Sequence, residues 1–167
     1  MNRLFDRSSI SVKPLSERKN KLDFEQDRID PDTYVPLLDA EAAERVARAA
    51  AEIRAARTNG APVILAFGAH SIKNGLSPVM IRLMKGGWAT HFATNGAGVI
   101  HDWEFAFQGL SGESVRENAP AGIFGAWDET GRYLNLAVLV GAAEGLGFGE
   151  SIGRMIAEDR IVLPQPF

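Results

Sequence analysis

The 167-residue chain contains no cysteine, which excludes disulfides, thiolate zinc sites and cysteine nucleophiles together. Histidine is scarce. His70, His91 and His101 are the whole set, and none shows the i, i+4 helical spacing of a zinc-protease helix, so no metal is expected. No apolar run approaches membrane-spanning length, and the opening MNRLFDRSSISVKPLSERKN lacks the hydrophobic stretch of a secretory leader. Positive charge is not in excess either: the net charge is −3 and the isoelectric point is near 5.6. That balance leaves no electrostatic footprint for DNA or RNA. Lysine is confined to Lys13, Lys19, Lys21, Lys73 and Lys85, with none after position 85. These absences lead to the expectation of a soluble, cytoplasmic protein with neither nucleic acid nor membrane among its partners.

What is present is an ordinary globular balance, 46% hydrophobic and 23% charged residues, which argues against disorder. Residues 1–32 are charged, aperiodic and broken by Pro14 and Pro31. They read as an arm, either a packed extension or a loose tail, ahead of a single α/β domain over 33–167. From Asp39 the pattern DAEAAERVARAAAEIRAARTNG predicts a helix capped by Asp39 and stopped at Asn59-Gly60, with Val46, Ala49, Ala50 and Ile53 on one face. APVILAFGAH (61–70) reads as a buried strand of a parallel sheet covered on both faces. LSPVMIRLMKGG then reads as a helix with Ser77 as its cap, Pro78 at its first helical position and Gly86-Gly87 as its stop. WATHFAT reads as a second strand, with His91 packed inside, which completes a βαβ unit with parallel strands. Beyond it, IHDWEFAFQG is expected to be helical and a short helix is expected from Ser111. RYLNLAVLVGAAEGLG reads as a buried helix, ESIGRMIAEDR as a last one, and IVLPQPF as the start of a further strand. A chain ending on a strand fits one half of a larger unit.

Two small-residue loops follow the two expected strands, GAHSIKNG (68–75) and NGAG (95–98). In open α/β sheets the crevice at the carboxyl ends of the strands binds ligands, and backbone N–H groups at helix starts favour phosphates there. Tight turns that simply need glycine remain the plain alternative. An ordinary dinucleotide fingerprint fails, because His101 stands where the third glycine of G-x-G-x-x-G belongs. Glu113 and Glu117, at the distance of a ribose-binding acid, fall in a region read as helical. His101, Asp102 and Glu104 open the helix after the second loop. They serve either as dipole-favoured helix-start residues or as proton-handling and amine-binding groups at the crevice mouth. Ser71 follows His70 without a G-x-S-x-G elbow, and Lys73 reads as a solvated or phosphate-facing lysine, an imine former only in principle. Trp88, Trp103 and Trp127 read as packing anchors.

Together, VILAFGAHSIKNGLSPVMIRLMKGG and WATHFATNGAGVIHDWE, with 19 residues between Gly75 and Asn95, make residues 62–109 resemble the amino-terminal half of the deoxyhypusine synthase family and its bacterial relatives. In that family a strand, a small-residue loop and a helix lead to a second strand. A Thr-Gly-Ala-type turn follows, and in many members His-Asp comes next. The resemblance implies a Rossmann-like NAD-binding fold, a parallel sheet with flanking helices, in an NAD-dependent aminobutyl transferase acting on spermidine or a related polyamine. Such enzymes are homo-oligomers with active sites at subunit interfaces, and they pass the aminobutyl group through an imine on a lysine. Carried over residue by residue, Ser71 and Asn74 match the first cofactor loop, and Asn95, Gly96, Ala97 and Gly98 match the second. His101 and Asp102 match the segment bordering nicotinamide and polyamine, and Glu104 joins them on proximity and charge. The chain departs from the family in a first loop about two residues shorter and in FGAWDETGRYLNLAVLVGAAEGLG, which replaces the usual continuation. It also departs in lacking a lysine after Lys85, where the family's imine-forming lysine lies in the carboxyl-terminal half. Catalysis then needs a second chain or half. The alternative is a non-catalytic nucleotide-binding or assembly module of the same fold.

Overall fold

The computed structural model describes Asp6 and residues 9–158; the expected strand in IVLPQPF lies outside the described residues. The chain is mixed α/β, 56% helical, with one small two-stranded parallel sheet. In order, its elements are β1 (Leu22–Asp23), α1 (Phe24–Asp27), α2 (Ala40–Thr58), β2 (Ile64–Ala66), α3 (Ala69–Lys73), α4 (Ser77–Lys85) and β3 (His91–Ala93). There follow α5 (Gly96–Gln108), β4 (Leu110–Ser111), α6 (Val115–Asn118), α7 (Asp128–Ala143) and α8 (Phe148–Glu158). Contacts gather into two units. One is Phe24–His101, and the other combines the residues before Phe24 with those from Asp102 onward.

Within Phe24–His101, α2 forms on local physics. The Asp39 carboxylate accepts from the Ala42 N–H at 2.7 Å, relieving one of the helix's unpaired first-turn donors. Alanine-rich turns and the i, i+4 pairs Glu41–Arg45 and Arg48–Glu52 support its length. The expected apolar face exists, but α2 buries none of its residues, so that face is not a core face of this chain. β2 and β3 pair in parallel, Ile64 with His91, Leu65 with Phe92 and Ala66 with Ala93, as the βαβ reading requires. The sheet is not covered on both faces, however. Ile64 is 64% exposed, Ala66 is exposed, and His91 opens β3 in solvent rather than packing inside. With only two strands and no helix burying their outer side chains, the apolar run has nothing in this unit to cover it. α4 starts one residue before the expected boundary. Leu76, not Ser77, precedes the first turn, because the Leu76 carbonyl already accepts from the Met80 N–H at 3.0 Å.

The second unit draws on the arm. β1 pairs antiparallel with β4, Leu22 opposite Ser111 and Asp23 opposite Leu110, and Lys13 exchanges backbone hydrogen bonds with Ala126 and Asp128 at 2.8 Å each. Residues 13–23 are therefore a packed extension. Ser111 lies in a strand rather than opening a helix, since β1 offers it a backbone partner; the short helix begins at Val115. Leu15, Trp103, Phe105, Trp127, Ala137, Ile152 and Met155 are the buried apolar side chains. The Trp103 ring stacks on Phe107 one turn along, with centroids 4.7 Å apart. α7 and α8 bend by 112° across a short break, and the helices meet at Gly141. A Cβ there would lie 1.8 Å from Ser151 Oγ, so only glycine permits the approach. α7 is not the buried helix its composition suggests. Leu136, Leu139 and Val140 are all at least half exposed, because α8 covers only the side bearing Ala137 and Gly141. Among the described residues no single helix is long and apolar enough to cross a membrane.

Candidate functional site

The two segments expected to form loops sit at the carboxyl ends of β2 and β3, both within Phe24–His101. Two residues, Phe67 and Gly68, separate β2 from α3, and two, Thr94 and Asn95, separate β3 from α5. The parallel pairing sets these exits side by side: the Phe67 N–H donates to the Ala93 carbonyl at 2.9 Å. A Cβ on Gly68 would stand 4.0 Å from Asn95 Nδ2. The first segment is no loop. Ala69–Lys73 closes into a short helix, placing Ser71 half-buried inside it and Asn74 exposed at its end.

The second segment is also helical. Gly96, Ala97 and Gly98 are the first three residues of α5, and Asn95 caps them: its Oδ1 accepts from the Gly98 N–H at 3.1 Å. Asn95, Gly96 and Ala97 are exposed, while Gly98 is buried. The two glycines have different reasons to be there. A Cβ on Gly98 would lie 2.3 Å from Thr94 Oγ1, so a larger residue fits only if the Thr94 side chain turns aside. A Cβ on Gly96 would meet nothing within 4 Å, so its small size leaves open space beside the helix start. An exposed start on a 13-residue helix, carrying unpaired first-turn N–H groups and about half a positive charge, suits an anion.

Glu104 behaves differently from its expected role. Its side chain is 1% exposed and faces inward. Arg18 donates to it in bidentate fashion, Nη1 to Oε1 and Nη2 to Oε2, both at 2.7 Å. Ser111 Oγ donates to Oε2 at 2.6 Å and Thr130 Oγ1 to Oε1 at 3.0 Å. Burial pushes the Glu104 carboxyl up, but the Arg18, Ser111 and Thr130 hydrogen bonds and the Arg18 charge outweigh it, leaving it below the usual glutamate range. Every lone-pair direction of the carboxylate is engaged within the protein, so Glu104 does not reach a polyamine; it joins the arm, α5, β4 and α7. Arg18 is itself held by Asn20 Oδ1 at 2.8 Å and lies over the Trp127 ring, 5.7 Å from the centroid.

His101 and Asp102 are successive on α5, so they lie about 100° apart around the helix rather than facing each other. His101 is half-buried. Asp102 keeps more than a third of its surface in water, yet protein atoms crowd its carboxyl, and this partial desolvation raises its pKa above the usual aspartate value. Water access limits the size of that effect. The three acid/base residues therefore do not form one cluster, and among the described residues no group of three or more His, Asp or Glu is arranged to hold a metal ion. Glu113 precedes α6 and accepts from Asn118 Nδ2 and the Gly125 N–H, at 2.6 and 2.9 Å; Glu117 lies within α6. Lys73 ends α3. Trp103 and Trp127 are buried anchors as expected, whereas Trp88 is 43% exposed.

Sequence reasoning missed Arg18 and Thr130 as partners of Glu104. The usable signal was an acid set between Trp103 and Phe105 in an apolar stretch of α5, since a buried carboxylate demands a cation. No family model, no curated protein and no solved structure matches this chain.

Proposed function

We propose that the chain is a Rossmann-like NAD-binding module of the deoxyhypusine synthase type, with the cofactor's phosphates at the β2–β3 exit. The observation that carries this reading is the pairing of Gly68 with the Asn95-capped, exposed start of α5 at the ends of two parallel strands. Open space beside Gly96, where a side chain would intrude, fits a phosphate that must approach backbone N–H groups closely. Gly96 and Ala97 would hold that phosphate through their N–H groups, Asn95 would order the turn, and Ser71 and Asn74 would border the cofactor from α3. When bound, NAD supplies the hydride acceptor for amine oxidation. His101 is the group suited to take the proton an amine gives up, since a histidine changes charge near neutral pH, and exposed Asp102 offers a carboxylate to a cationic amine. With no lysine after Lys85, aminobutyl transfer from spermidine or a related polyamine takes its lysine from a second chain or half.

Assembly belongs to the same reading. Val35 and Leu37 are 83% and 103% exposed, flanked by exposed Tyr34 and Leu38, and exposed apolar stretches of this kind mark interfaces. A homo-oligomer or a lysine-bearing partner covers them.

A second reading, a non-catalytic nucleotide-binding or assembly module, is favoured by the full engagement of Glu104 inside the protein. Spermidine-dependent formation of NADH separates the two. Turnover by the chain with its partner, lost in His101→Ala, supports the transferase. NAD binding without NADH formation in any assembly supports the module, and absence of NAD binding removes the transferase and leaves the second reading only as an assembly module.

A further inference from the structure

At the other end of the β2–β3 pair, α2 and α4 finish beside the turn that leads into β3. There Arg54, Arg57, Thr58, Gly86, Gly87 and Trp88 line an open cleft of about 460 Å³, large enough for a small ligand. The cleft is prearranged. Arg57 Nε donates to the Gly87 carbonyl at 2.7 Å and Nη1 to the Ala61 carbonyl at 2.9 Å, so the guanidinium is locked between the ends of the two helices. The Trp88 backbone is fixed, its main-chain N–H donating to the Leu83 carbonyl at 2.9 Å. Its indole passes so near Gly86 that a Cβ there would lie 2.7 Å from Cδ1. Arg54 makes no hydrogen bond or ion pair among the described residues. No acidic side chain lines the cleft.

The charge balance favours an anion, though moderately. Two guanidinium groups stand against two helix carboxyl ends, each worth about half a negative charge, which leaves roughly one net positive charge. The exposed indole face adds a stacking surface, and planar rings stack on tryptophan with useful energy. We propose that this cleft binds a small anionic ligand bearing a planar ring, of the nucleoside monophosphate class. The ring would stack on Trp88 and the phosphate would pair with Arg54 and the free edge of Arg57. A polynucleotide fits less well, because the chain's net charge of −3 opposes a long polyanion. The site is separate from the proposed cofactor crevice, since it lies before the first residues of the strands rather than after their last. It does not depend on that reading.

The test is a calorimetric titration with adenosine 5′-monophosphate, adenosine and inorganic phosphate. The monophosphate should bind at least about tenfold more tightly than either fragment, because both halves of the cleft contribute. Arg54→Ala and Trp88→Leu should each weaken it about tenfold or more, Trp88→Phe should retain most of it, and this Arg54- and Trp88-dependent binding should persist when the crevice is filled by Gly96→Leu. Arg54 is exposed and unpartnered, so its variant reads the site even where Trp88→Leu does not fold. Equal affinity in wild type and Arg54→Ala, no measurable binding, or loss in Gly96→Leu alone would overturn the proposal. A change in sedimentation with Trp88→Leu and none in nucleotide binding would do the same, by assigning the cleft to a protein interface.

Discussion

The Arg18–Glu104 pair is where a single residue matters most for stability. Its ends are 86 positions apart, and a buried charge deprived of its partner costs about 3–5 kcal/mol. Glu104→Gln keeps the shape but removes the charge facing Arg18, so we expect a loss of about 3 kcal/mol or more in urea unfolding at neutral pH. Acid sensitivity should change as well. Because Glu104 titrates below 4.5 when folded, its contribution is fully present above that value and fades as pH falls through the folded pKa. The variant should therefore show a flatter stability profile below about pH 4.5. Asp102 acts in the opposite sense. Its pKa is raised from 3.8, so its ionisation weakens the fold as pH rises from there through the folded value. Little of this pairing was legible beforehand. In sequence Glu104 reads as a residue near a helix start, where the dipole suits it wherever it points; in the structure it lies two turns into α5, and only the tertiary contact with Arg18 decides that it turns inward.

At the scale of elements, local chemistry was the readable part. The cap at Asp39, the stop at Gly60 and the Pro78 start of α4 all act within a turn, and the two apolar runs flanking α3 and α4 could pair in parallel across a crossover. Burial was not readable. The apolar faces of α2 and β2 and the Leu136, Leu139 and Val140 side of α7 look like core faces in sequence but stay exposed among the described residues, because cover depends on what packs against them. Nor did NGAG announce that its glycines begin α5 instead of making a separate loop. That change gives a sharp test. Gly98→Ala forces a Cβ against Thr94 and should cost about 1–3 kcal/mol as overpacking. Gly96→Ala meets open space and should leave thermal stability equal or slightly higher, since alanine is the better helix former. A loss of stability in Gly96→Ala equal to that in Gly98→Ala would show that the helix start is packed, not open.

For the molecule as a whole, the consistent feature is apolar surface left uncovered: the Tyr34–Leu38 stretch and the outer face of the parallel pair. If a second copy covers them, the 18.1 kDa chain should sediment above its monomer mass in a concentration-dependent way, and Leu37→Asp should shift it toward a folded monomer whose melting temperature no longer depends on protein concentration. A monodisperse monomer at high concentration would contradict assembly through this surface.

The central claim is that the exit of the two parallel strands holds NAD, and calorimetric titration of NAD tests it most directly. Wild type should bind, and at a hundredfold excess over the dissociation constant the ligand should add about 2.7 kcal/mol of stability. Gly96→Leu, which fills the open space beside α5 while leaving the fold intact, should abolish both effects, and Asn95→Ala should weaken them. NAD binding that is unchanged in Gly96→Leu, or absent from the folded wild-type protein in its assembled form, would contradict the account.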